Sequence, residues 1–310
     1  MSRFSRPLVL GSRGSVLALR QSEQIAARLG AMTPGREVRI EVIRTTGDAV
    51  LDAPLAQIGG KGAFTKEIED ALLDGRIDLA VHSLKDLPTT LPDGLCVAAI
   101  PRRETPYDAL ICARWPSLAA IPPGSVIGTS SVRRKALLAA HRPDLRVGEF
   151  RGNIDTRLGK VARGDVDGAI LACAGLERLG RAGAVTEQLK PEVMLSAPAQ
   201  GALGIEARVD DAELQEEVAM LTCPASAAEV RAERACLAEL EGGCQLPLGV
   251  LARAREDGAL DIQACLCHPD GSSLLRHALN GSMADPEALG QTLAAGLIEQ
   301  GARELVASLR

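Results

Sequence analysis

Gly75-Arg-Ile-Asp-Leu-Ala-Val-His-Ser83 and Gly164-Asp-Val-Asp-Gly-Ala-Ile-Leu-Ala-Cys173 are two versions of one phrase, a Gly-x-apolar-Asp lead followed by a short apolar run. Such a run, bounded by turn residues, predicts a strand covered on both faces. Upstream of the first copy, Pro7-Leu-Val-Leu10 reads as a strand and Gly11-Ser-Arg-Gly-Ser15 as a turn. Val16 to Leu29, with Val16, Leu19, Ala26 and Leu29 in helical rhythm, reads as a helix. Val38 to Arg44 alternates as a strand, and Phe64 to Leu73 is helical. Upstream of the second copy, Val126-Ile-Gly-Thr-Ser-Ser131 followed by a helical Val132 to Ala140 repeats the opening unit. Strands alternating with helices imply a mainly parallel sheet, and the recurrence implies two similar α/β domains.

Beyond about residue 220 the grammar changes. A helix from Ala227 to Glu241 stops at Gly242-Gly243, and strand-like runs follow at 248–254, 260–267 and 273–279. Asp285 and Pro286 open a last helix carrying Leu289, Leu293 and Leu297. This part is a separate α+β domain.

Composition narrows the function classes. The 310 residues hold 40 acidic and 35 basic side chains, a net charge of −5, with 46% apolar and 24% charged residues. Length and composition suit two or three globular domains and exclude a disordered chain. No apolar run approaches the roughly 20 residues of a membrane span, and the apolar part of the opening segment is too short for a signal peptide. A cytoplasmic protein without a membrane partner is the expectation. No dense basic block and only 5 aromatic residues argue against a nucleic-acid surface. The 8 cysteines read as thiols, with Cys96, Cys112, Cys173 and Cys265 in apolar, core-like contexts. Cys265-Leu-Cys-His268 lies in an alternating strand that runs into the turn Pro269-Asp-Gly271, so no metal site is expected there.

Arginine outnumbers lysine by 29 to 6, and its positions carry information. Arg13 and Ser15, Ser83 and Lys85, and Thr129, Ser130, Ser131, Arg133 and Arg134 all fall just after predicted strands or at helix starts. Arg151 and Arg157 follow another strand-like stretch. In α/β sheets that edge binds ligands, and Arg grips carboxylates or phosphates bidentately. Any one of these arginines alone is as well read as a solvated surface residue; the set together points to a ligand with several carboxylates or phosphates. Asp86, among cationic neighbours, is either an ionised carboxylate that stabilises a cation and carries a proton or a simple turn residue before Leu87-Pro88. His82 reads as a buried, hydrogen-bonded histidine. Cys244, in Glu241-Gly-Gly-Cys-Gln-Leu-Pro247, is a loop thiol suited to covalent attachment or nucleophilic attack, or else a quiet one. The stretch from Thr46 to Gly62 is a lid or a long connection.

Seven segments then align with a known family: Gly11-Ser-Arg-Gly-Ser15, Gly59-Gly-Lys-Gly-Ala-Phe64, Val81-His-Ser-Leu-Lys-Asp-Leu-Pro88, Gly128-Thr-Ser-Ser-Val-Arg-Arg134, Arg151-Gly-Asn-Ile-Asp-Thr-Arg157, Gln200-Gly-Ala202 and Glu241-Gly-Gly-Cys-Gln-Leu-Pro247. In these, and along nearly its whole length, the chain resembles the porphobilinogen deaminase (hydroxymethylbilane synthase) family. One departure is Ser196-Ala-Pro-Ala-Gln200, where the family pattern places Gly before the Gln.

The resemblance implies two periplasmic-binding-protein-like α/β domains, 1–103 plus 196–220 and 104–195, and a small α+β domain at 221–310. It implies a transferase of porphyrin and haem biosynthesis, in which Cys244 holds a dipyrromethane cofactor through a thioether. Four porphobilinogen molecules join the cofactor head-to-tail. Each loses ammonia to give an electrophilic methylene-pyrrole, and water releases hydroxymethylbilane. Carried onto this chain, Asp86 is the catalytic cation stabiliser and proton carrier. Ser83, Lys85, Thr129, Ser131, Arg133 and Arg134 bind cofactor, while Arg13, Ser15, Arg151, Arg157 and Arg178 bind substrate. A monomer is the family expectation. Two rivals are a cytoplasmic anionic-solute-binding protein and a thiol hydrolase or acyltransferase using Cys244.

Overall fold

In the computed structural model, residues 6–46, 65–240 and 246–309 are described. The chain divides into two compact units, residues 1–103 with 202–227 and residues 104–201 with 228–310.

In the first unit β1 (Leu8–Arg13) leads into α1 (Val16–Met32) and β2 (Val38–Ile43), then α2 (Lys66–Leu73), β3 (Leu79–Ser83) and β4 (Leu95–Ala99). The second unit continues with β5 (Asp108–Ile111), β6 (Val126–Gly128), α3 (Val132–His141), β7 (Arg146–Gly148), α4 (Ile154–Arg163), β8 (Gly168–Ala172), α5 (Cys173–Arg178) and β9 (Glu187–Gln188). The chain re-enters the first unit through β10 (Leu203–Arg208) and α6 (Ala212–Ala219). α7 (Pro224–Glu239) crosses the division, followed by β11 (Leu248–Ala254), β12 (Ala259–Cys267), β13 (Leu274–Ser282), α8 (Pro286–Glu299) and α9 (Ala302–Ala307).

The two larger sheets share one plan. The first runs β2-β1-β3-β10-β4 and the second β7-β6-β8-β5-β9. In each, three parallel strands lie in the order second, first, third, and one reversed strand, β10 or β5, pairs antiparallel on both sides. In each sheet the reversed strand is the first that the chain forms after passing over from the other unit. The predicted pair of similar, mainly parallel sheets is therefore present, with one strand inverted in each. The third sheet, β11-β12-β13, is an antiparallel meander.

Burial follows the strand patterns. Leu8, Leu10, Leu79 and Ile205 are fully buried and pack with Ile25 and Leu29 of α1. Each such side chain contributes about 1.5–3 kcal/mol on leaving water. In the second unit Leu110, Ile127 and Ile170 share a core with Leu251, Cys265 and Cys267 of the meander. The meander's other face packs on α7, α8 and α9 through Cys236, Leu293 and Leu297. Gly290 of α8 sits at the crossing with α7, where a Cβ would stand 2.1 Å from the Ala232 carbonyl oxygen.

Several boundaries move. The strand expected after the Gly75-Arg-Ile-Asp78 lead begins at Leu79 and ends at Ser83. Cys173 is the first residue of α5 and not the end of a strand. The helix predicted from Ala227 starts at Pro224, which suits a first-turn position. Cys96, read as core, is only half-buried, while Cys112, Cys173 and Cys265 are buried. The seven described cysteines are free thiols. No helix among the described residues is long and apolar enough to cross a membrane.

Candidate functional site

In the first unit β1 ends on Arg13, which is half-buried, and Ser15 caps α1 by accepting the Ala18 N–H. Asp78, at the entry to β3, accepts both Arg6 guanidinium donors at 2.6 and 2.9 Å and the Val9 N–H at 2.9 Å. Those donors hold its carboxyl below the usual range against the opposing effect of burial. At the other end of β3, Ser83 Oγ accepts from Gln21 at 3.0 Å. The Asp86 N–H closes a turn onto the Ser83 carbonyl oxygen at 2.9 Å, and the Leu84 N–H donates to Ala202. The strand end is thereby fixed, Lys85 is half-buried and the Asp86 side chain is exposed. His82 is buried beside Glu206, with Nε2 2.9 Å from the carboxylate, as its sequence setting suggests.

The corresponding edge of the second unit is buried and cationic. Thr129 follows β6, its Oγ1 accepting the Ser131 N–H, and Ser131 caps α3 by accepting the Arg134 N–H. That cap sets Arg133 and Arg134 on the first turn of α3. Both turn inward to Asp108, the first residue of β5, which is fully buried. Arg134 Nε and Nη2 reach one Asp108 oxygen at 3.1 and 2.6 Å, and Arg133 Nη1 lies 2.8 Å from the other. Arg134 also donates to the Ile170 carbonyl at 3.0 Å, and Arg133 to that of Leu195. Two guanidinium groups hold the Asp108 carboxyl far below its ordinary value despite complete burial.

One carboxylate does not balance this edge. Arg157, on the first turn of α4 below the cap Asn153, lies over the Phe150 ring. Burial, with repulsion from Arg134, pulls its pKa down to about 10. Its Nε is buried without a hydrogen-bond partner among the described residues. Arg178, at the end of α5, donates to the Gly201 carbonyl at 2.7 Å; burial lowers its pKa, and its Nε is likewise unpartnered. Arg151 is half-buried, with its guanidinium 3.9 Å from Glu149. A buried guanidinium nitrogen without a partner costs free energy, and an anion seated beside it would relieve that cost. This donor set fits a group bearing several carboxylates.

Of the predicted residues, the second unit thus brings together Thr129, Ser131, Arg133 and Arg134, with Arg157 close to Arg134. The first unit groups Ser83, Lys85 and Asp86 at one strand end and Arg13 and Ser15 at another. Cys244, Phe64 and all but the first residue of the 46–62 stretch lie outside the described residues. Sequence reasoning passed over Asp108, Gln200 and Glu233. Gln200 donates to Asp108 at 3.0 Å and to the Pro106 carbonyl at 2.7 Å. An acid heading the apolar run Asp108-Ala-Leu-Ile-Cys112 is the signal that marks the first: a charge entering a buried strand needs a partner.

Comparison with known proteins shows the family. The family model "Porphobilinogen deaminase, dipyromethane cofactor binding domain" matches residues 8–216, and "Porphobilinogen deaminase, C-terminal domain" matches residues 227–299. The porphobilinogen deaminase of Chromobacterium violaceum is 49% identical over 302 residues, covering 97% of each chain. That of Desulforudis audaxviator is 49% identical over 305 residues, covering 98% of each. Among solved structures, a periplasmic substrate-binding protein of an ABC transporter from Coxiella burnetii covers 71% of this chain and 94% of its own, at 17% identity and a TM-score of 0.41. Matched by both family models and by near-half identity over almost its full length, the chain belongs to the porphobilinogen deaminase family.

Proposed function

We propose that this chain is a hydroxymethylbilane synthase that joins four porphobilinogen molecules head-to-tail, releasing ammonia at each addition, on a dipyrromethane bound through a thioether to Cys244. The observation that carries this reading, beside family membership, is the buried excess of guanidinium at the second unit's strand edge. Every pyrrole of the substrate brings an acetate and a propionate, so the growing product is a polyacid. Buried Arg charges its own neighbours cannot neutralise are the complement of such a ligand.

When bound, the dipyrromethane would supply the free pyrrole carbon that the first unit joins, each later unit joining the one added before it. The chain's own residues do the rest. Ser83, Lys85, Thr129, Ser131, Arg133 and Arg134 hold the cofactor's carboxylates, and Arg13, Ser15, Arg151, Arg157 and Arg178 hold those of the incoming substrate. Asp86 carries the chemistry. Its exposed carboxylate stabilises the positive charge that develops as ammonia leaves and moves the proton that restores the aromatic ring. The turn hydrogen bond between Asp86 and Ser83 fixes the backbone from which that carboxylate is presented. A monomeric, cytoplasmic enzyme of three domains, divided at 103/104, 195/196 and 220/221, completes the reading.

The solute-binding alternative needs neither Asp86 nor Cys244. Incubation of the purified chain with porphobilinogen separates the two. The enzyme releases four ammonia molecules per hydroxymethylbilane, whereas a binding protein takes up porphobilinogen and returns it unchanged.

A further inference from the structure

Ala199 is the one non-glycine with a positive φ among the described residues, at 60°, and it is fully buried. It stands where the family pattern has Gly. An L-residue in the left-handed region is strained, and the surroundings must hold it there. The hold is visible. The Ala199 N–H donates to Glu233 Oε2 at 2.6 Å, while Oε1 of the same carboxylate accepts the Ala252 N–H of β11 at 2.8 Å. Glu233 is itself fully buried on α7.

The turn that Glu233 pins, residues 197–201, feeds the arginine cluster from two sides. Gln200 reaches Asp108, the shared partner of Arg133 and Arg134, and its side-chain oxygen lies 3.5 Å from Arg134 Nη2. The next residue, Gly201, offers its carbonyl to Arg178 and receives the Glu104 N–H at 3.2 Å. Gly201 has φ 88°, and a Cβ there would stand 2.7 Å from the Glu104 carbonyl oxygen. A rotation at Ala199 therefore displaces Gln200 and the Gly201 carbonyl together.

We propose that Glu233 is a positioning residue: by locking Ala199 in the left-handed conformation it sets the 197–201 turn that aligns Arg134 and Arg178 for the cofactor and substrate carboxylates. This inference rests on the reading of those arginines as the polyacid's grip. It adds a residue that touches neither ligand, and it explains how this chain carries Ala in a glycine position. The same carboxylate ties α7 and β11 to the binding turn.

The test uses the full chain and reads two quantities: the fraction bearing a two-pyrrole adduct by intact mass, and KM for porphobilinogen of the loaded fraction. Glu233→Gln keeps the size and removes one accepting oxygen. A loss of loading or a rise in KM of about tenfold is expected, with kcat per loaded molecule within about threefold of the parent. Adding Ala199→Gly, which needs no lock, should return both quantities to within about threefold of the parent. Loading and KM within about twofold of the parent in Glu233→Gln overturn the proposal. So does a defect that Ala199→Gly fails to repair in folded protein, since Glu233 then acts through Ala252 alone. Should Glu233→Gln not fold, Gln200→Met takes its place: loss of loading supports the relay, and parental loading overturns it. Arg134→Ala tests the underlying reading; a fully loaded, fully active Arg134→Ala enzyme removes the arginine grip and this inference with it, whereas a defective one beside a normal Glu233→Gln removes the inference alone.

Discussion

The strand edge after β3 and the strand edge after β6 are built on one plan and end in opposite electrostatics. Both sheets order their first three strands alike, and both put hydroxyl residues and cations where a strand stops. After β3 the chain turns outward and leaves Asp86 in solvent. After β6 it turns inward, and Arg133 and Arg134 close on Asp108, with Arg157 nearby facing repulsion from Arg134. The contrast matches the proposed division of labour: an exposed carboxylate suits proton movement, and a cluster of guanidiniums suits holding charge.

The sharpest way to break that contrast is to neutralise each acid in turn. Asp86→Asn should lower turnover by about 10²–10⁴-fold, the range of acid–base groups, while thermal unfolding stays unchanged because the side chain is solvated. Near-normal turnover removes Asp86 from the mechanism. Asp108→Asn should act the other way round, costing about 3–5 kcal/mol of stability because it strands two buried guanidiniums. Denaturant titration of the two variants reads the difference. The sign with pH follows. Asp108 has a depressed carboxyl in the folded state, so its contribution is present above its ordinary pKa and is lost as pH falls through the folded value. Below about pH 4 the parent should lose this share of stability and Asp108→Asn should have none to lose.

Arg157→Met sharpens the comparison from the ligand's side. Removing a half-buried cation for which no carboxylate partner is found among the described residues should leave stability equal or higher, yet raise KM for porphobilinogen by about tenfold or more. Melting curves and initial rates check the pair of signs, and a fall in stability without a change in KM contradicts the assignment. The smallest effect belongs to Ala199→Gly. Relief of the left-handed strain offsets the greater backbone freedom of Gly in the unfolded chain, so stability should stay within about 1 kcal/mol of the parent.

Much of this architecture was legible because it is local. Gly75 to Ser83 and Gly164 to Cys173 announce two buried strands through their apolar runs, and β11 runs over the predicted 248–254. Ser15, Ser131 and Asp285 each stand at a helix start, as their types suggest. What the sequence hides is non-local. β10 and β5 carry no local mark of being reversed; each follows a crossing of the chain from one unit to the other. Arg133 and Arg134 are conspicuous, but their partner lies 25 residues upstream of Arg133 in a run that reads as ordinary strand. The Gly-to-Ala departure at Ala199 was visible, and its consequence required the Glu233 carboxylate, 34 positions away.

The central claim is that one thiol, Cys244, carries an acidic two-pyrrole primer which the arginine cluster holds. Intact mass of the freshly purified chain beside Cys244→Ser tests it most directly. The account predicts an adduct of two pyrrole units on the parent that disappears in Cys244→Ser along with activity. A parent that is fully active at its unmodified mass contradicts it.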